Sequence, residues 1–240
     1  QNVYSLFTNG LTDGVFQCES SGMKSVFMRL KPTNLEDIIA VISLYRPGPM
    51  DSIDSYICNR HNPENIRYKT PMLQNILNVT YGCMVYQEQV LEIVRVLAGY
   101  SLGKADQLRR IISKKKVDQM QIERKNFIYG SEDGSIKGCI ANGIDEKTAI
   151  AIFDEINDFA SYAFNKSHAA AYAFVAYQTA YLKTFYPVEY MASLISSVDD
   201  LDKANGYIVN AKKMGIALYP PDVNKSFDTF TVEDNAIRFG

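Results

Sequence analysis

The sequence predicts a mainly α fold, a multi-helix body with a small β-hairpin near the C-terminus. Three observations carry that expectation. Apolar residues recur at helical spacing through most of the chain, Pro, Gly and capping residues punctuate those stretches, and only the segment after 216 turns to short strand-like runs. The 240 residues are 47% hydrophobic, enough for a core in one large domain or two small ones. With no internal repeat and no low-complexity linker, one domain is the economical division, residues 1–218 being helical and 219–240 a short β element leading out of it.

The first clear helix lies in "KPTNLEDIIAVISLYRPGPM" (31–50). Thr33 and Glu36 have capping-box spacing, and Leu35, Ile38, Ile39 and Ile42 share a face. "RPGP" stops it, because Pro47 and Pro49 cannot continue a helix. "YGCMVYQEQVLEIVRVLAGYSLG" (81–103) is a second helix, with Val90, Leu91, Val94 and Leu97 inward and Gly99 as its stop. A third spans 104–128, and a fourth, over 143–164, starts with Asp145 as its N-cap. A fifth grows out of "FNKSHAAAYAFVAYQTAYLK" (164–183) and is interrupted by Pro187; helices over 188–198 and 201–216 follow. "FDTFTVEDNAIRF" (227–239) reads as two strands around Glu233-Asp234-Asn235.

Composition excludes several classes. Lys plus Arg is 25 and Asp plus Glu is 27, so the net charge of −2 argues neither for nor against a polyanionic partner, and only its distribution can. Cys18, Cys58, Cys83 and Cys139 lie far apart with no C-x-x-C pair, which speaks against a zinc site or a disulfide framework and for a reducing, cytosolic compartment. No apolar run is long enough to span a bilayer and no signal peptide opens the chain. The start at Gln1 and the stop in "AIRFG" read as the ends of a segment cut from a longer protein.

Charge is concentrated in one place. Residues 104–125 carry Lys104, Arg109, Arg110, Lys114, Lys115, Lys116, Arg124 and Lys125 against Asp106, Asp118 and Glu123, a surplus of five cations. At helical spacing Leu108, Ile111 and Ile112 share one face, and Arg109, Arg110, Ser113 and Lys114 the opposite one. Adjacent guanidinium forks with a Lys four residues on suit phosphate. Any surface helix has a charged face, and on pattern alone that plainer reading has the edge. Against it stands the shortage of acidic partners, Asp106 alone being near the Arg pair at helical spacing.

Asn165-Lys166-Ser167-His168 stand directly before a small-and-aromatic helical run. Helix N-termini expose unpaired N–H groups and favour anions. Asn165 or Ser167 can cap, Lys166 and His168 can add donors, and Ala169, Ala170, Ala171 and Ala173 permit close approach. A capped core helix explains the same pattern. The phosphate-loop, dinucleotide, nucleophile-elbow and zinc-helix motifs are all absent, as is a carboxylate cluster built for two metal ions.

In chain order, "GVFQCESSGMK" (14–24), "LYRPGPM" (44–50), "TYGCMVYQEQVL" (80–91), "GYSLGKADQLRRIISKKK" (99–116), "FNKSHAAAYAFVAYQTAYLKTFYPVEYMASL" (164–194) and "PPDVNKS" (220–226) resemble the α subunits of bacterial DNA polymerase III, the C-family replicative polymerases, and the DnaE type more than the PolC type. Only "IYGSEDGSIKGCIANG" (128–143) matches less crisply, and it reads as a surface excursion.

The resemblance implies a polymerase fingers domain that closes over the incoming dNTP and the primer-template. It implies a preceding palm whose three catalytic Asp residues hold two Mg²⁺, so no catalytic residue is expected in this segment, and the isolated segment is expected to be inactive. By the same resemblance Arg109, Arg110 and Lys114 contact the triphosphate. Asn165, Lys166, Ser167 and His168 meet the sugar, base and phosphate of that nucleotide, with Ser167 and His168 as candidates for rejecting a 2′-OH. Lys115 and Lys116 face phosphate of nucleotide or DNA. Arg46 and Gln87, with Glu88, line the template side or brace the site. Other replisome subunits are implied as partners through the parent chain, in a bacterial cytoplasm and with no membrane. The alternatives are a stand-alone, non-catalytic nucleic-acid-binding helical module, which predicts DNA binding with a steep salt slope and no dNTP preference, and a helical scaffold whose charges are merely solvated.

Overall fold

The computed structural model describes residues 2–114, 116–160 and 164–240. In chain order the α-helices are α1 (Asn2–Thr8), α2 (Ser21–Leu30), α3 (Leu35–Leu44), α4 (Ile53–His61), α5 (Gln74–Leu77), α6 (Gln87–Ala98), α7 (Leu102–Ser113), α8 (Val117–Tyr129), α9 (Glu146–Ala160), α10 (Lys166–Phe185), α11 (Pro187–Ser196) and α12 (Leu201–Lys213). Three short strands follow, β1 (Leu218–Tyr219), β2 (Thr231–Glu233) and β3 (Ala236–Arg238). The mainly α expectation holds. No helix among the described residues is long and apolar enough to cross a membrane. The contacts divide the chain into two units, residues 39–170 and residues 1–38 with 171–240.

The core of the 39–170 unit is built on α6. Val90, Ile93, Val94 and Leu97 are fully buried, together with Leu108 and Ile112 of α7, Phe127 and Ile128 of α8, and Ile152, Phe153 and Ile156 of α9. Each such side chain contributes roughly 1.5–3 kcal/mol by leaving water. The rings of Phe127 and Phe153 meet at 5.6 Å. Leu91, expected inward, is only partly buried at the edge of this core. Gly99 stops α6 in the left-handed conformation (φ +76°), as expected. Ser101 caps α7 by accepting from Lys104 N, and Asp145 caps α9 by accepting from Thr148 N.

Residues 104–128 are not one helix. α7 ends at Ser113 and α8 starts at Val117. α7 holds to the core through Ala105, Leu108 and Ile112. The positions that would extend this stripe, 115, 116 and 119, are Lys, Lys and Gln. Nothing apolar continues the contact there, and the chain turns before α8 brings Phe127 and Ile128 inward. Residues 128–143 also differ from a simple surface excursion. Ile136 and Cys139 are buried, Gly138 N donates to Ala98 O at 3.0 Å, and Asn142 Nδ2 donates to Leu97 O at 2.8 Å.

In the other unit α1 packs on α2 through Phe7 and Phe27, ring to ring at 4.9 Å. A capping pair one residue later than Thr33 and Glu36 also precedes α3: Asn34 Oδ1 accepts from Asp37 N, and Asp37 Oδ2 accepts from Thr33 N. The segment "TNLED" carries both spacings. Val188, Met191, Ala192 and Ile195 of α11 form a second core with Tyr207, Ala211, Ile216 and Ile237. The hairpin forms as expected, β2 antiparallel to β3 around Asp234 and Asn235, whose φ values of +50° and +60° are those of a tight hairpin turn. β1 adds a third strand, parallel to β3 with Leu218 opposite Ile237.

In this unit α10 turns its small side inward. Ala173, Ala176, Ala180 and Lys183 are buried, while Phe174, Val175, Tyr181, Leu182 and Phe185 are exposed. Lys183 Nζ donates to Leu11 O, Asp13 O and Asn210 Oδ1 at 2.9, 2.7 and 3.1 Å, and burial pushes its pKa down to about 8.

Candidate functional site

Two surfaces of the 39–170 unit carry the residues singled out by sequence. The first is the C-terminal half of α7. Arg109 and Arg110 sit three and four residues after Asp106, within reach on a helix surface. Arg109 donates to Asp106 Oδ1 through Nε (2.9 Å) and Nη2 (2.7 Å), and Arg110 Nε donates to Asp106 Oδ2 (2.8 Å). The hydrogen-bonded Arg109 guanidinium holds the Asp106 carboxyl below the usual carboxylate range, with Arg110 adding to the effect. The pair is therefore not short of an acidic partner: one carboxylate serves both.

The two arginines differ in what remains. The Arg109 side chain is 25% exposed and that of Arg110 67%. Arg110, Lys114 and Lys116 line an open cleft of about 470 Å³ together with Gln107, Ile111, Gln119, Ile122 and Glu123. The Glu123 carboxylate accepts from Tyr100 OH at 2.9 Å, so three cations face a single carboxylate that already has a donor. Arg109 is outside that lining. Lys115 lies outside the described residues.

The second surface is the start of α10. Gln87 N donates to Phe164 O at 2.9 Å, which joins the chain before α10 to the start of α6. Asn165 Oδ1 accepts from His168 N at 3.0 Å, so Asn165 is the cap. Asn165 Nδ2 in turn donates to Glu88 Oε1 at 2.7 Å, and Lys166 N donates to Glu88 Oε2 at 3.2 Å. The Arg46 guanidinium lies 4.3 Å above the Phe164 ring, and the His168 ring meets the edge of that same ring at 5.2 Å. Lys166 Nζ lies 5.2 Å from the centre of the Tyr86 ring. Asn165, Ser167 and His168 are exposed.

Arg46 and Gln87 are thus brought to the Asn165–His168 turn, from segments more than 70 residues away along the chain. The α7 cations are placed otherwise. Lys166 lines a different cleft, of about 610 Å³, with Tyr86, Glu88, Gln89, Glu92 and an apolar floor of Met72, Ile76, Val79 and Val96. The two clefts share no lining residue. The sequence marks Glu88 only as a neighbour of Gln87, and no motif in it singles out Gln89. That side chain is buried and accepts from Val85 N and Tyr86 N while donating to Thr80 Oγ1. Among the described residues no cluster of three or more His, Cys, Asp or Glu side chains is arranged to hold a metal ion.

Residues 1–134 match the family described as the bacterial DNA polymerase III alpha subunit finger domain. Over 240 residues the chain is 48% identical to the DNA polymerase III subunit alpha of Chlamydia trachomatis, covering all of this chain and 19% of that protein. It is 47% identical to the subunit from Thermus aquaticus over 99% of its own length and 19% of the relative's, and 46% identical to one from Bacillus subtilis over 98% and 20%. The chain spans about one fifth of the length of the curated relatives it matches.

Proposed function

The chain belongs to the family of bacterial DNA polymerase III alpha subunits, as fingers-domain sequence, and on that premise we propose that it grips the incoming dNTP and the primer-template while its parent polymerase copies DNA. The observation that carries the reading is the α7–α8 cleft, where Arg110, Lys114 and Lys116 face an open space with one carboxylate among them. Arg110 offers a planar fork to phosphate oxygens, and the two lysines add point charges. Phosphoryl transfer needs placement and charge neutralisation more than covalent help, so fixed cations on the triphosphate lower the barrier as charge moves to the leaving pyrophosphate.

The division of labour we propose follows the two surfaces. The α7 cations, with Arg109 setting the Asp106 carboxylate that orients Arg110, take the phosphates. Asn165, Lys166, Ser167 and His168 take the sugar end of the nucleotide. Arg46 and Gln87 brace that turn on the template side, and Lys115 and Lys116 meet phosphate of nucleotide or DNA. Mg²⁺, supplying Lewis-acid activation of the primer 3′-OH, belongs to palm carboxylates elsewhere in the parent chain. Other replisome subunits and a cytoplasmic setting come with the parent enzyme. The 240 residues alone are expected to extend no primer.

Steady-state kinetics of the parent polymerase test this. Arg110→Ala and Lys114→Ala should each raise the apparent KM for dNTP by about tenfold. His168→Ala should change the ratio of ribonucleotide to deoxynucleotide incorporation. Unchanged constants in the first two variants would remove the triphosphate role, and an unchanged ratio in the third would make His168 a structural residue.

A further inference from the structure

We infer that Glu88 is a positioning residue for the nucleotide-facing turn, and that its carboxylate occupies the anion-favouring end of α10. This rests on the reading of Asn165–His168 given above and adds to it. The first turn of a helix leaves N–H groups unpaired and carries partial positive charge, so it attracts the nearest anion. Here that anion is already part of the protein. Glu88 Oε2 takes the Lys166 N–H at 3.2 Å, and Glu88 Oε1 takes Asn165 Nδ2 at 2.7 Å. Asn165, so held, presents Oδ1 to the His168 N–H at 3.0 Å. One carboxylate thus caps the helix directly and also fixes the residue that completes the cap. The neighbouring backbone bond, Gln87 N to Phe164 O at 2.9 Å, locks the same junction from the main-chain side.

Two consequences follow. Lys166, Ser167 and His168 project from a backbone pinned at both of its capped N–H groups, so the ordering of this edge is done before a ligand arrives. Moreover, a phosphate cannot sit on this helix end without meeting the Glu88 charge. The uncharged part of a nucleotide is favoured here, and the triphosphate is directed to the α7 cations. Glu88 therefore sets which end of the nucleotide faces which surface.

The experiment uses the full-length parent polymerase with Glu88→Ala and Glu88→Gln, and with Lys166→Ala and His168→Ala as references. Removing the clamp should raise the KM for dNTP about tenfold while kcat and the affinity for primer-template stay within about twofold. Glu88→Gln retains one acceptor for Asn165 Nδ2 and should recover most of that loss, to within about threefold of the parent. Ribonucleotide discrimination in Glu88→Ala should shift in the same direction as in His168→Ala. If the references move dNTP KM or discrimination and Glu88→Ala moves neither, the positioning role is wrong and the nucleotide-facing turn stands. If the references themselves do nothing, the underlying reading falls with it. Loss of kcat and thermal stability in both Glu88 variants, with no rescue by Gln, would make Glu88 a fold-maintaining residue and overturn the inference.

Discussion

Arg109 spends two of its donors, Nε and Nη2, on a single oxygen of Asp106, at 2.9 and 2.7 Å. Arg110, the next residue, spends only Nε, on the other oxygen at 2.8 Å. Two adjacent arginines that look alike in sequence therefore have unequal capacity for a ligand. In the parent polymerase Arg110→Ala should raise the KM for dNTP by about tenfold, and Arg109→Ala by about threefold, through the loosened Asp106. Equal effects in parallel steady-state assays would show that the inequality has no functional meaning.

Gln89 satisfies four groups inside the protein, accepting from Val85 N and Tyr86 N and donating to Thr80 Oγ1 and Ile76 O. Leu has a similar volume and none of these partners. Gln89→Leu strands two buried N–H groups directly before α6, and should cost about 2–4 kcal/mol in urea unfolding of the chain. A loss below about 1 kcal/mol would show that water can replace these bonds.

Gly138 has a φ of +83°, and a Cβ placed on it would lie 2.3 Å from Gly130 N and 2.6 Å from the Tyr129 carbonyl carbon. Gly134 also has positive φ, +71°, but faces open space. Gly138→Ala should therefore destabilise the chain by about 3 kcal/mol or more, and Gly134→Ala by only about 1 kcal/mol. Their ranking in thermal melts separates backbone crowding from conformational preference.

Lys183 gives a pH dependence whose sign is fixed by its surroundings. Burial lowers the folded-state pKa to about 8, against 10.5 for the free side chain. Below pH 8 both folded and unfolded chains carry the charge, and the burial penalty is complete. Between about pH 8 and 10.5 the unfolded chain keeps the proton and the folded one sheds it, so this residue makes the protein more stable as pH rises. Lys183→Met should cost about 1–3 kcal/mol at pH 7, because three part-buried acceptors lose their donor. The gap between parent and variant should widen from pH 8 to pH 10 in denaturant melts. A gap that narrows would place the amine's pKa at or above its ordinary value.

Much of the helical organisation was legible because its causes are local. Gly99 stops α6 and Asp145 starts α9 through groups within a few residues of each helix end. The hairpin turn at Asp234 and Asn235 follows from two residues that tolerate positive φ. α2 is not among the predicted helices, although Ser20, whose side chain accepts from Met23 N, marks its start in the same way. The cationic stretch was visible as well, since charge can be counted along a chain. Its division into α7 and α8 was not, because that depends on which positions find a core to bury against.

By itself, then, the sequence determined some helix ends, such as Gly99 and Asp145, the clustering of cations and the family resemblance, all carried by short strings read in order. Tertiary structure alone decided that Glu88 would meet Asn165, 77 residues further along, and that Lys183 would lie beneath the backbone of Leu11 and Asp13, more than 160 residues away. It also decided that Arg110 and Lys166 would line separate clefts. Capping and periodicity act through bonds that close within a turn or two of the chain. A carboxylate opposite an amide from a distant helix exists only once the buried faces of both helices have fixed their register.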